Sequence, residues 1–157
     1  MQKITPCLWF DNQAEEAVNF YVSLFKNSKI TNISRYSEAG PGEPGSVMTI
    51  AFVLDGQEFV ALNGGPVFHF TEAISLMVDC KTQAEVDDLW ARFTEQGEEG
   101  QCGWLKDKFG VSWQIIPAGL VETLSGPDPA RVQRATQVMF SMKKLDIRKI
   151  REAYEQG

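Results

Sequence analysis

Leu8, Asp11, Val18, Tyr21 and Phe25 recur as Leu76, Asp79, Val86, Leu89 and Phe93, each 68 residues further on. A constant offset that runs through an extended segment, a helix start and a helix stripe marks an internal repeat. Each copy reads strand–helix–strand–strand–strand. A module of that size cannot bury both sides of its own sheet, so two of them are expected to pair. The expectation is an α+β fold. Two βαβββ modules form a curved mixed sheet around a cavity, followed by a C-terminal helical tail. The boundaries read as residues 1–66, 67–117 and 118–157, within one compact domain that is long enough to bury most of its apolar surface.

Residues 3–10 form a short apolar strand, broken at Asp11-Asn12. Asn12 with Glu15 has the spacing of a capping box, and Ala14, Ala17, Val18, Tyr21, Leu24 and Phe25 lie on one helical stripe up to Asn27. Residues 29–37 are β-rich, and 47–54 and 57–62 make a hairpin around Asp55-Gly56. The second copy begins with a strand over 73–78, then a capping box at Thr82 and Glu85. A stripe of Val86, Leu89, Trp90 and Phe93 follows and ends at Gly97. Residues 102–117 close the module as another hairpin, 103–106 and 111–116 around a turn at 107–110. Alternation sets Val111, Trp113 and Ile115 on one face and Ser112, Gln114 and Ile116 on the other. Lys106, Asp107 and Lys108 read as a solvated turn, and Trp104 and Trp113 as core between sheet and helix. In the tail, Asp128-Pro129 is a cap with proline at the first helical position, followed by a stripe of Val132, Ala135, Val138, Met139 and Met142. Residues 146–154 form a last short helix.

Apolar residues at 43% and charged residues at 23% are those of an ordinary soluble protein. A net charge of −6 argues against nucleic acid as a partner, which asks for a basic face. No stretch is apolar over the length of a membrane span, and the start lacks the pattern of a signal peptide. Cys7, Cys80 and Cys102 are widely spaced without a CxxC pair, so a disulfide framework is not expected and a cytoplasmic location is.

Residues 7–11 (Cys-Leu-Trp-Phe-Asp), 62–66 (Leu-Asn-Gly-Gly-Pro), 72–76 (Glu-Ala-Ile-Ser-Leu) and 102–117 carry a family resemblance. The chain resembles the vicinal oxygen chelate superfamily of glyoxalase I, bleomycin-resistance proteins and extradiol dioxygenases. Within it the chain is similar to the PhnB-like group, whose domain is labelled 3-demethylubiquinone-9 3-methyltransferase. The resemblance implies a small-molecule ligand and a homodimer. In metal-dependent members, ligands sit on the first and last strands of each module and face the cavity. Those positions fall here near Thr5, Ala73 and Gln114, with a fourth somewhere in residues 60–63, where only Asn63 is polar. Alanine cannot ligate, and hydroxyl and amide oxygens bring no charge to a divalent ion. No catalytic metal and no other cofactor is expected, although weak binding of a divalent cation through Gln114, Asn63 or His69 stays open.

The expected pocket comprises Thr5, Cys7, Trp9, Asn63, His69, Ala73, Ser75, Met77, Ser112 and Gln114. Gln114 either orients a ligand or seals the cavity against its neighbours, since a buried amide must find partners. Trp9 and Cys7 either line an apolar pocket or pack in the core. His69 is the only histidine, the side-chain type best suited to acid–base work near neutrality, and reads either as such a group or as an exposed loop residue. No cysteine has an adjacent histidine to activate it. Gly-Val-Ser112-Trp-Gln lacks the second glycine of a nucleophile elbow. Gly40-Pro-Gly42-Glu-Pro-Gly45 satisfies GxGxxG but leads into a strand, so it reads as a mobile loop, a cover for the cavity, and supports no nucleotide-type cofactor. The first functional expectation is therefore a metal-free binding protein, its reaction unassigned. The alternatives are a metal-dependent lyase, isomerase or dioxygenase and, third, the methyltransferase of the label.

Overall fold

The computed structural model describes residues 2–156. The chain divides between Phe70 and Thr71 into two compact units. The first contains β1 (Cys7–Phe10), α1 (Ala14–Leu24), β2 (Lys29–Arg35), β3 (Val47–Leu54) and β4 (Gln57–Asn63). Its sheet runs β1-β4-β3-β2, with β1 parallel to β4 and the other neighbours antiparallel. The second unit repeats that plan with β5 (Ser75–Cys80), α2 (Gln83–Thr94), β6 (Glu98–Glu99), β7 (Trp104–Lys106) and β8 (Ser112–Pro117). Here the order is β5-β8-β7-β6, again with first and last strands parallel. Then come α3 (Leu120–Leu124), α4 (Pro129–Phe140) and α5 (Ile147–Glu155). The α+β class, the βαβββ repeat and the helical tail are as the sequence indicates.

Each helix covers one face of its own sheet. In the first unit α1 buries Ala14, Ala17, Val18 and Tyr21. Ile50, Phe52, Leu54, Phe59 and Ala61 are the buried residues of β3 and β4, and the Phe52 and Phe59 rings stack at 5.4 Å. In the second unit α2 buries Val86, Leu89, Trp90 and Phe93, with Phe93 4.7 Å from Trp113. Each such side chain contributes about 1.5–3 kcal/mol of transfer free energy. The β3–β4 turn has positive φ at Asp55 (46°) and Gly56 (82°), the geometry that suits the twist of a two-residue hairpin.

The tail belongs to the second unit. Ile116 from β8 joins Leu120, Ala135, Leu145 and Ile150 in one buried cluster. Cys102 and Gly103 donate backbone hydrogen bonds to Met142 and Lys143, both at 2.8 Å, and so tie the tail to the start of β7. The predicted cap at Asp128 holds, preceding Pro129 and accepting from Ala130 N, while Asp146, read as the first residue of the last helix, instead caps α5 and accepts from Arg148 N.

Several local expectations are corrected. The strand over 3–10 shrinks to Cys7–Phe10, because the Gln2 side chain, not the backbone, pairs with Glu58 N and O at 3.0 Å. The strand expected over 73–78 shifts to Ser75–Cys80. Asn12 and Glu15 form no capping box; α1 starts after Gln13, and Ala14 N is satisfied by Asn63 Oδ1 from β4 at 2.9 Å. Thr82 does cap α2, accepting from Glu85 N, while Glu85 returns to Lys81 N, one residue before the cap. Trp104 lies on the opposite face of the sheet from Trp113, since β7 pairs Leu105 with Trp113 and Trp104 with Gln114.

Asp107 is the largest correction. It is not a solvated turn residue but 3% exposed. One carboxylate oxygen accepts from Phe109 N (2.8 Å) and Val111 N (3.0 Å), the other from Trp113 Nε1 (2.9 Å). Three donors turn the carboxylate inward and lock the β7–β8 turn to the core tryptophan. Asp107→Ala leaves all three donors without their acceptor, so urea unfolding should show a loss of about 3 kcal/mol, while Asp107→Asn should retain part of it. A loss below about 1 kcal/mol for the alanine variant would show that water or a shifted turn replaces the carboxylate.

Candidate functional site

Pairing in the second sheet gathers six side chains on the face turned away from α2. Parallel register sets Ser75 beside Ser112 and Met77 beside Gln114. Antiparallel register sets Lys106 across from Ser112 and Trp104 across from Gln114. Directly paired residues share a face, so all six lie together. Gln114 Nε2 donates to Ser75 Oγ at 2.9 Å, which fixes the amide, and its carbonyl oxygen accepts no hydrogen bond among the described residues. Met77 is 63% exposed. Lys106 forms an ion pair with Glu72, which holds that carboxyl below its usual range and raises the lysine.

Ser112 is 1% exposed, and its hydroxyl has no hydrogen-bond partner among the described residues. It lines a cleft of about 550 Å³ together with Glu72, Glu98, Trp104, Lys106 and Phe140. Phe140 comes from the end of α4, so the tail supplies a wall that the strand repeat alone does not. Sequence reasoning missed both Trp104 and Phe140 here. The signal for Phe140 is its place off the apolar stripe of α4; Trp104 needed the β7–β8 register.

The other expected residues lie on the first sheet or in segments outside the strands. Cys7 and Trp9 stand beside Val60 and Leu62 in the first sheet. Trp9 Nε1 donates to Gly65 O at 2.9 Å, and its ring lies against Gly64, where any Cβ would fall 2.3 Å from the indole. Phe68 meets the same ring edge-on at 4.9 Å. Thr5, His69 and Ala73 are exposed and outside the strands. Asn63 accepts from Ala14 N and donates to Val47 O (3.1 Å), so its amide is engaged at the end of α1. The glycine-rich loop closes on the β2–β3 hairpin: Tyr36 N bonds Ser46 O and Gly45 N bonds Tyr36 O, each at 2.9 Å. Tyr36 also donates its hydroxyl to Asn63 O and lines a smaller cleft, about 380 Å³, with Asp11, Asn12 and Glu15.

The arrangement does not suit a tightly held metal. Among the described residues no three His, Cys, Asp or Glu side chains come together. The strand repeat aligns Met77–Gln114 with Trp9–Leu62, so the position matching Gln114 in the first unit is Leu62, not Asn63. Leucine has no donor atom, Ala73 has none, and the Gln114 amide is already oriented by Ser75. The cysteines are not activated either: burial pushes Cys7 and Cys102 up, and burial with the charges of Glu85 and Asp79 pushes Cys80 up to about 12.

An unpaired buried hydroxyl costs free energy that an alanine methyl does not. Ser112→Ala should therefore stabilise the protein by about 1 kcal/mol in chemical denaturation. Destabilisation by a similar amount would mean that the hydroxyl has a partner in solution.

The family described as 3-demethylubiquinone-9 3-methyltransferase matches residues 2–116. Among solved structures, the PhnB protein of Bacillus cereus, described with the same methyltransferase name, is 44% identical with a TM-score of 0.69. The match covers 74% of this chain and 100% of that one. A protein from Pseudomonas aeruginosa shares the fold at 18% identity and a TM-score of 0.62, over 74% of this chain and 98% of the other. So does the fosfomycin resistance protein FosX of Listeria monocytogenes, solved with Mn(II) and sulfate, at 13% identity and a TM-score of 0.53, over 79% and 97%. No curated protein matches. With the family match spanning both strand–helix modules, the chain belongs to the PhnB-like family that carries the 3-demethylubiquinone-9 3-methyltransferase name.

Proposed function

We propose that the protein binds a small organic molecule on the free face of its second sheet and does so without a tightly held metal. The observation that carries this reading is the Gln114–Ser75 pair. The amide is anchored at 2.9 Å through its nitrogen and offers its carbonyl oxygen to a ligand donor. A fixed polar group on a partly apolar surface is how a binding site orients its ligand. FosX, with the same fold, was solved with Mn(II); the positions that would hold such an ion here are Thr5, Leu62, Ala73 and Gln114, and no carboxylate or imidazole is among them. Methyl transfer is not part of the proposal. The glycine-rich loop runs into β3 instead of a helix, so it forms no N-terminal cradle for a nucleotide-type donor.

Element analysis of protein purified without chelator should find well under about 0.1 equivalent of Mn, Fe, Ni, Co or Zn per chain, since a tight site would retain its ion. Near-stoichiometric metal that a chelator removes with loss of thermal stability would overturn the reading and favour the metal-dependent lyase, isomerase or dioxygenase.

The protein is also proposed to act as a homodimer. Ile74, outside the free face of the second sheet, is 74% exposed, apolar surface that a second copy would cover. Sedimentation at micromolar concentration should give twice the chain mass of 17.6 kDa. A monomer there would remove the proposal.

A further inference from the structure

The unpaired Ser112 hydroxyl and the cleft around it define a ligand chemistry more narrowly than the family does. We infer that this cleft takes a planar aromatic molecule that is not anionic and that carries a hydrogen-bonding heteroatom at its inner end. The inference rests on the small-molecule reading above and assigns its ligand class.

Three observations converge. Ser112 is 1% exposed with no partner for its Oγ, a buried polar atom of the kind that ligands satisfy. Its hydroxyl both donates and accepts, so a phenol or a carbonyl on the ligand would meet it equally well. Next, the walls are aromatic. Trp104 lies on the Ser112 face of β7, and Phe140, 63% exposed, projects from the end of α4. Two rings lining a cleft of about 550 Å³ leave room for a fused bicyclic system. Finally, the charge lining the cleft is negative. Lys106 is neutralised by Glu72, and Glu99 is paired with Lys143 at 3.7 Å. Among the described residues Glu98 makes no ion pair, although its charge adds to that of Glu72 in raising Lys106, and it supplies the field that an incoming anion would have to oppose.

The test uses the full chain and two probes of equal ring size, 2-naphthol and 2-naphthoate, titrated by calorimetry. The neutral phenol should bind at least about tenfold more tightly than the carboxylate. Phe140→Ala, a surface change at a helix end, should weaken 2-naphthol by about tenfold, and Ser112→Ala by about fivefold although that variant is the more stable protein. Equal or tighter binding of 2-naphthoate, or no binding of 2-naphthol at millimolar concentration, overturns the assigned class. If 2-naphthol binds but responds only to Gln114→Ala, the cleft assignment fails while the binding reading stands. If it responds to Phe140→Ala and Ser112→Ala but not to Gln114→Ala, the cleft stands and the role of the Gln114 amide falls.

Discussion

The parallel pairing of first and last strands in each module is the constraint from which the rest follows. A parallel neighbour cannot be reached by a tight turn, so the chain must leave β5, cross by way of α2 and return through two further strands before β8 lies beside it. That route commits one face of the sheet to the helix and keeps the other free of it. It also sets the register that places Ser75 against Ser112 and Met77 against Gln114, far apart in sequence but adjacent in the ladder. A slip of one residue would send Ser112 and Gln114 under α2 and bring Trp113 and Ile115 out. The apolar alternation of β8 therefore protects the polar face as well as the core.

The tail changes what that face can do. Alternation alone groups Ile116 with Ser112 and Gln114, yet Ile116 is buried among Leu120, Ala135, Leu145 and Ile150. The tail thus covers one end of the face and leaves the Ser112 end beside Phe140. Its attachment is specific: the backbone bonds from Cys102 and Gly103 to Met142 and Lys143 hold it next to β7. Cys102 has a positive φ of 57° and Gly103 one of 83°, a local bend ahead of β7 at the point of attachment. A sheet open at both ends is narrowed to a cleft by residues outside the repeat.

What the sequence discloses depends on range. Periodicity and capping are local, so the repeat, the helices α1, α2 and α4, the β3–β4 hairpin and the caps at Thr82 and Asp128 are legible. Asn63 is not, because its role is to replace a cap that the residues before α1 could have supplied; only the pairing of β1 with β4 brings it to Ala14. Asp107 is misread for a different reason. Flanking lysines suggest solvent, but an Asp that begins a turn can accept from N–H groups two residues on, and a buried Trp needs an acceptor. Both signals were present in Asp107–Trp113, separated by the turn that unites them. Trp104 needed a register that three residues of strand do not reveal.

The position of Gln114 shows what a neutral polar group asks of a sheet face. A carboxylate on a partly buried sheet face must be offset by a cation or a metal, because desolvation penalises its charge. A neutral amide at that position needs only a hydrogen bond, and Ser75 provides one across the parallel pair. Leu62, at the matching place in the first unit, has no polar side-chain atom at all. The hydroxyl of Ser112, on the Gln114 face, finds no hydrogen-bond partner among the described residues, so its desolvation is offset by nothing in the protein.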